Sequence, residues 1–183
     1  MTPESKQQHK DKRYLGKAVT LRIAAVGIFT SLAFCLTRFF AIPYAGGAGY
    51  FNFGDLVSLL LAMAFGPVEG MLVGMLSGAF ADFASGYGAF IPWTLAAKGL
   101  MGLLAGGLFL LLKKHKVIRF VSPLLGGLLM AAVYAIAYLA LYGLPGLANT
   151  SFDLVQGLGC ALLSIALYLP LEKTGVIRRI QQN

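Results

Sequence analysis

Charge is scarce in this chain: Asp, Glu, Lys and Arg together make up 12% of its 183 residues, against about 25% in an ordinary soluble domain. Histidine and cysteine are scarcer still, at two each. His9 and His115 fall in basic clusters, and Cys35 and Cys160 fall inside apolar stretches, which argues against a zinc site or a Cys-His nucleophilic pair and gives no disulfide framework. No Gly-x4-Gly-Lys-Ser/Thr phosphate loop occurs, so the chain is not expected to hydrolyse ATP. No long-period repeat is visible, which leaves an inverted-repeat transporter unsupported. The first apolar block is too long for a signal peptide and lacks a cleavage pattern, so it is expected to be retained.

What fills the chain instead is hydrocarbon. Hydrophobic residues account for 58% and the mean hydropathy is +0.76, the composition of one integral membrane domain. Apolar blocks lie near 19–42, 55–66, 68–86, 91–112, 120–144 and 151–171. Roughly 20 apolar residues span a bilayer, and only the second block falls well short, closed by the helix-breaking pair Gly66-Pro67.

Charge topology sets the expected orientation. All Lys and Arg except Arg38 and Lys98 sit in three clusters: Lys6 to Arg22, Lys113 to Arg119, and Lys173 with Arg178 and Arg179. The positive-inside rule places all three in the cytoplasm, which six crossings satisfy and five do not. A second block that dipped in and returned would put the termini on opposite sides. The expected organisation is therefore a basic cytoplasmic tail over 1–17, a six-helix membrane domain over 18–172 and a second basic tail over 173–183. The net charge of +8 is thus a membrane-topology signal, and no nucleic-acid partner is expected.

Small residues recur at helical spacing, Gly70, Gly74 and Gly78 on the third span and Gly102 and Gly106 on the fourth, a pattern that lets helix backbones approach in lipid. Polar groups inside spans are costly and point to function. Lys98 is placed roughly 8 Å and Asp82 roughly 6 Å below the outer boundary at 1.5 Å per residue, and the antiparallel third and fourth spans would let them meet. That pair reads either as a structural ion pair or as a lysine turned to a substrate. Tyr134, Tyr138 and Tyr142 form a stripe on the fifth span, and Asp153, Gln156 and Cys160 form one on the sixth, with Asn149 in the preceding loop. An interfacial aromatic belt accounts for Tyr142 and Trp93 but leaves the deeper Tyr134 and Gln156 in need of polar partners.

The segment Gly49-Tyr50-Phe51-Asn52-Phe53-Gly54-Asp55 is too rich in aromatic, amide and carboxylate groups for a plain connector. Taken with Phe65-Gly66-Pro67, Glu69-Gly70, Asp82, Trp93-Thr94 and Lys98-Gly99-Leu100-Met101-Gly102-Leu103, it resembles the substrate-binding S components of energy-coupling factor (ECF) vitamin transporters. The resemblance covers the chain from about Lys17, and is narrowest to the riboflavin-transporter-like group that includes the pyridoxine and hydroxymethylpyrimidine types.

That resemblance implies an all-α, six-helix S-component-like bundle with both termini cytoplasmic, multi-pass in a bacterial cell membrane. It implies no catalytic residues, no metal and no cofactor in this chain. ATP would be used by two cytoplasmic ATPase partners acting with a membrane T component. The loop from Pro43 to Gly54 would be a lid over a vitamin. The expected substrate contacts are Tyr50, Asn52, Phe53, Asp55, Asp82, Trp93, Lys98, Tyr134, Tyr138, Asn149, Asp153 and Gln156. The family's Ala-xxx-Ala docking pattern is not literal here, since Ile28 follows Ala24 by four; the nearest small pairs are Thr20 with Ala24 and Gly27 with Ser31. Pyridoxine or hydroxymethylpyrimidine is the expected ligand, with riboflavin, pantothenate and thiamine open; a self-sufficient ion-coupled carrier, a membrane enzyme and a structural subunit are the competing classes.

Overall fold

The computed structural model describes residues 3–43, 50–175 and 177. Six helices follow one another: α1 (Pro3–Phe39), α2 (Gly54–Ala64), α3 (Pro67–Ser85), α4 (Ile91–Leu111), α5 (Val121–Tyr142) and α6 (Thr150–Lys173). Their limits match the six apolar blocks closely, except that α1 continues through the basic N-terminal stretch to Pro3. Between α1 and α2 lies a two-residue antiparallel pair, β1 (Ile42–Pro43) with β2 (Tyr50–Phe51).

Local chemistry sets the helix limits. The break between α2 and α3 falls at Gly66, whose φ of 133° suits only glycine, and Pro67 then opens α3 where a missing N–H costs nothing. At the far end of α3 the chain leaves through Gly86 at φ 80°. The Tyr87 N–H bonds the Asp82 carbonyl at 2.8 Å and the Gly86 N–H bonds that of Phe83 at 3.3 Å, a Schellman closure. Among the described residues four helical segments are long and apolar enough to cross a membrane: Val19–Phe39, Gly88–Leu111, Ile118–Tyr142 and Leu144–Lys173. With 11 residues, α2 is roughly 16 Å long, about half of a hydrocarbon core, as the Gly66-Pro67 break leads one to expect.

Glycines bring the helices together. A Cβ built on Gly102 would stand 2.5 Å from backbone atoms of Gly70 and Met71, and one on Gly127 would stand 2.6 Å from the Gly157 carbonyl oxygen, so α3 meets α4 and α5 meets α6 backbone to backbone. The central core is built from Leu59, Met101, Met130 and the alanines 97, 137 and 161. Around this core the perimeter is apolar and exposed, with Ile28, Phe83, Leu111, Ile136 and Val155 among it. Such a surface is normal against lipid and would be abnormal against water.

The end of the bundle carrying Lys113 to Arg119 is closed by a clamp. The Arg119 guanidinium lies 5.2, 4.9 and 5.9 Å from the ring centres of Phe109, Phe120 and Tyr168, and its Nη2 donates to Glu172 at 2.6 Å. By contrast α1 is loosely held, with 11% of its apolar window buried. Arg22 reaches Glu69 at 2.9 Å near this basic end, and Thr37 is buried against the opposite end.

A buried polar network as the candidate binding site

Opposite the basic end, five elements bring polar side chains into the core. Asn52 follows directly on β2, Asp55 opens α2, Lys98 lies two turns into α4, and Gln156 lies two turns into α6; all four are at most 4% exposed. The Lys98 ammonium ion-pairs with the first carboxylate oxygen of Asp55. Gln156 donates from Nε2 to the second at 2.5 Å, and its Oε1 accepts the Asn52 backbone N–H at 3.0 Å. The Asn52 Oδ1 in turn accepts from Thr37 of α1 at 3.2 Å and from the Gly54 N–H at 3.1 Å, while its carbonyl accepts the Cys160 thiol at 3.5 Å.

A second chain of hydrogen bonds adjoins the first. Tyr134 on α5 donates to the Thr94 hydroxyl at 2.9 Å, and Thr94 donates to Asp82 at 2.5 Å. Asp153, 4% exposed, stands at the start of α6, three residues before Gln156 on the same helix. Tyr138 stacks on Tyr134 with ring centres 6.3 Å apart, and Phe90 meets Tyr138 edge-on at 5.7 Å. Trp93 packs half-buried against this cluster.

The arrangement departs from the sequence-based expectation in three respects. The ammonium of Lys98 ion-pairs with Asp55 on α2, a helix that packs against both α3 and α4, where Asp82 was the expected partner; the Asp82 carboxylate accepts the Thr94 hydroxyl. Asn149 is not part of the network: its amide caps a local turn through the Gly146 carbonyl at 3.1 Å. Phe53 sits half-buried beside Phe51, ring centres 5.3 Å apart, at the rim. Three network members, Thr37, Thr94 and Cys160, were not among the expected contacts. Cys160 shares the Asp153–Gln156 stripe and was within reach of periodicity; Thr37 had no signal, because its partner lies across a loop. Within the expected lid, residues 44–49 and the Tyr50 side chain lie outside the described residues.

The expected docking residues Thr20, Ala24, Gly27 and Ser31 all lie on the exposed face of α1, away from the buried Ala33 and Thr37. A Cβ on Gly27 would meet nothing within 4 Å. Surface cavities among the described residues include a cleft of about 500 Å³ beside Arg22, Glu69 and Lys113, and a groove of about 390 Å³ between α1 and α3.

A helical bundle with membrane-spanning segments buries an ion pair, two further carboxylates and two amides at one end, and polar groups so placed point to function. Its family is defined by sequence: residues 17–173 match the model of the ECF-type riboflavin transporter S component, and the chain belongs to that family. It is 33% identical over 139 residues to an uncharacterised protein in the gap 3′ region of Pyrococcus woesei, covering 75% of this chain and 92% of that one. It is 27% identical over 158 residues to the thiamine precursor transporter HmpT of Lactococcus lactis subsp. cremoris, covering 85% and 90%. The fold matches a solved S component of a bacterial ECF transporter with a TM-score of 0.64 at 22% identity, over 85% of this chain and 97% of that structure. The protein is therefore a multi-pass membrane transport subunit rather than an enzyme, and its family implies partnership with an ECF module.

Proposed function

We propose that this chain is the vitamin-capturing S subunit of an ECF importer in a bacterial cell membrane, and that it takes a small hydroxylated heteroaromatic ligand, pyridoxine or hydroxymethylpyrimidine. The observation that carries this reading is the Asn52–Asp55–Lys98–Gln156 network, joined to the Tyr134–Thr94–Asp82 chain in a family of substrate-binding subunits. Aromatic walls from Tyr134, Tyr138 and Trp93 suit a flat ring, and the amide, hydroxyl and carboxylate groups suit ring nitrogens and hydroxymethyl substituents. The buried charges there are Asp55, Asp82 and Asp153 against Lys98, a balance that favours neutral or basic rings over phosphorylated ones. The name of the Lactococcus relative, a thiamine precursor transporter, supports the hydroxymethylpyrimidine side of the choice.

In this reading both termini and all three basic clusters face the cytoplasm, and the network opens outward beneath the loop from Pro43 to Gly54. Ligand binding shifts the lid toward closure only through contacts made in the closed state. The exposed small-residue face of α1 then meets a T component, and two ATPase subunits supply the energy. The description of the matching family model favours riboflavin as the second ligand to test.

Native mass spectrometry of the detergent-purified chain, incubated without ATP with pyridoxine, hydroxymethylpyrimidine, riboflavin, pantothenate and thiamine, tests the reading. One retained ligand, weakened by Lys98→Ala and Gln156→Ala, is the expected result. Retention of none of the five would overturn it.

A further inference from the structure

Several close-packed glycines in this bundle, Gly102, Gly106, Gly127 and Gly157 among them, face backbone, whereas Gly78, like Gly99, faces side chains. A Cβ on Gly70 would meet the Ala62 Cβ at 2.4 Å and its Cα at 2.7 Å, and one on Gly106 would meet backbone of Pro67 at 2.6 Å. At Gly78 the atoms met are the Lys98 Cδ at 2.6 Å, the Lys98 Cε at 2.9 Å and the Thr94 Cγ2 at 2.6 Å. One turn earlier, Gly74 faces the root of the same lysine, its carbonyl oxygen at 3.1 Å and Cβ at 3.3 Å, together with the Ser58 hydroxyl at 2.7 Å. The two glycines thus border a track on α3. The lysine stem enters beside Gly74, crosses Gly78, and ends in the ion pair with Asp55 on α2.

We propose that Gly78 is a positioning residue of the binding site: its missing side chain opens the track along which Lys98 reaches Asp55, and so fixes where the site's buried ammonium stands. The inference rests on the proposed binding site, but its geometry holds whatever the ligand is. With Ala at 78 the flexible end of Lys98 is the part that can yield, because the α3 and α4 backbones are already held in contact at Gly102. The ammonium therefore leaves Asp55 before the helices separate. A displaced ammonium weakens both its pairing with Asp55 and the alignment of that carboxylate for Gln156, whereas a purely packing role would leave Lys98 in place.

The test is a double-mutant cycle on the full-length membrane protein, carried out throughout in Thr94→Ser, which removes the Thr94 methyl but keeps a hydroxyl for Asp82. Gly78→Ala is introduced once with Asp55 and Lys98 intact and once in Asp55→Asn/Lys98→Ala, where neither the stem nor a lone buried charge remains. Thermal unfolding without ligand is followed in both backgrounds, and acylation of Lys98 by an amine-reactive probe, read by peptide mass, is followed in the first, with and without Gly78→Ala. Expected is a lowered unfolding midpoint and faster Lys98 labelling in the first background, and no change in midpoint in the second. If Gly78→Ala fails to fold in the first background yet folds in the second, the same coupling is shown. Equal destabilisation in both, or unchanged labelling of Lys98, overturns the proposal. Binding of whichever vitamin the native screen retains should fall on the order of tenfold with Gly78→Ala in the first background, the size expected when a buried pair is misaligned. Absence of any retained vitamin counts against the ligand reading alone, since the unfolding and labelling results still decide the role of Gly78.

Discussion

Gln156 and Asp55, 101 positions apart in sequence, are joined by a 2.5 Å hydrogen bond from the α6 amide to the α2 carboxylate. The same amide accepts the Asn52 N–H, so one side chain holds the start of α2, the end of the loop before it and the first third of α6. Replacing it with an apolar residue strands a buried N–H and half of a buried carboxylate. Gln156→Leu should therefore destabilise the protein by about 2–4 kcal/mol, one to two unsatisfied groups' worth. Thermal unfolding in detergent checks this, and a midpoint indistinguishable from wild type would refute the network as drawn.

The Lys98–Asp55 pair should show the asymmetry of buried charges. Lys98→Met alone leaves a lone buried carboxylate and should cost about 3–5 kcal/mol, while Lys98→Met with Asp55→Asn should recover a large part of that loss. Comparison of the two unfolding midpoints measures it; equal midpoints would mean the pair is not coupled.

The Tyr134 hydroxyl stands at the head of a directional chain, donating to Thr94, which donates to Asp82. Tyr134→Phe removes one neutral donor and keeps the ring stacked on Tyr138, so stability should fall by only about 0.5–1.5 kcal/mol. Ligand affinity, measured by calorimetry with the retained vitamin, should fall further than stability does. An unchanged affinity would place Tyr134 in the packing rather than in the site.

Arg119 offers a contrast at the other end of the bundle. Arg119→Ala removes three ring contacts and the pairing to Glu172, and should lower the unfolding midpoint while leaving vitamin affinity unaltered. Arg119→Lys should rescue the midpoint only in part, because an ammonium cannot lie flat between Phe109, Phe120 and Tyr168. Loss of affinity in proportion to stability would indicate that the two ends are coupled.

Helix limits were legible because the apolar runs are long and their breaks carry Gly66-Pro67 and Gly86, residues whose backbone chemistry admits little else. Candidate site residues were legible as a set, since Lys98, Asp82, Asp153 and Gln156 are polar where hydrocarbon is expected. Their pairing was not. Adjacency in sequence suggested Lys98 with Asp82 across the α3–α4 turn, whereas the partner is Asp55, brought in by the way α2 packs between α3 and α6. Thr37 and Thr94 were missed for a related reason: a threonine in an apolar helix satisfies itself easily, and only a tertiary neighbour reveals one that does not. The glycine spacing on α3 announced close packing but could not say that backbone fills the gap at Gly70 and a lysine stem at Gly78.

Little of the surface of α1 is covered: Val26, Phe29 and Leu36 pack beside the buried Ala33, and two polar contacts, Arg22 on Glu69 and Thr37 on Asn52, stand toward the two ends of its apolar window. They stand 15 residues apart, roughly 22 Å along the axis at 1.5 Å per residue. A rod pinned at two such points turns a shift at one pin into a change of angle, about 2–3° for each ångström at that lever length. Because the Asn52 amide that holds Thr37 also accepts the Gly54 N–H at the start of α2, a rearrangement there would reach the membrane face of α1 as inclination rather than as distance.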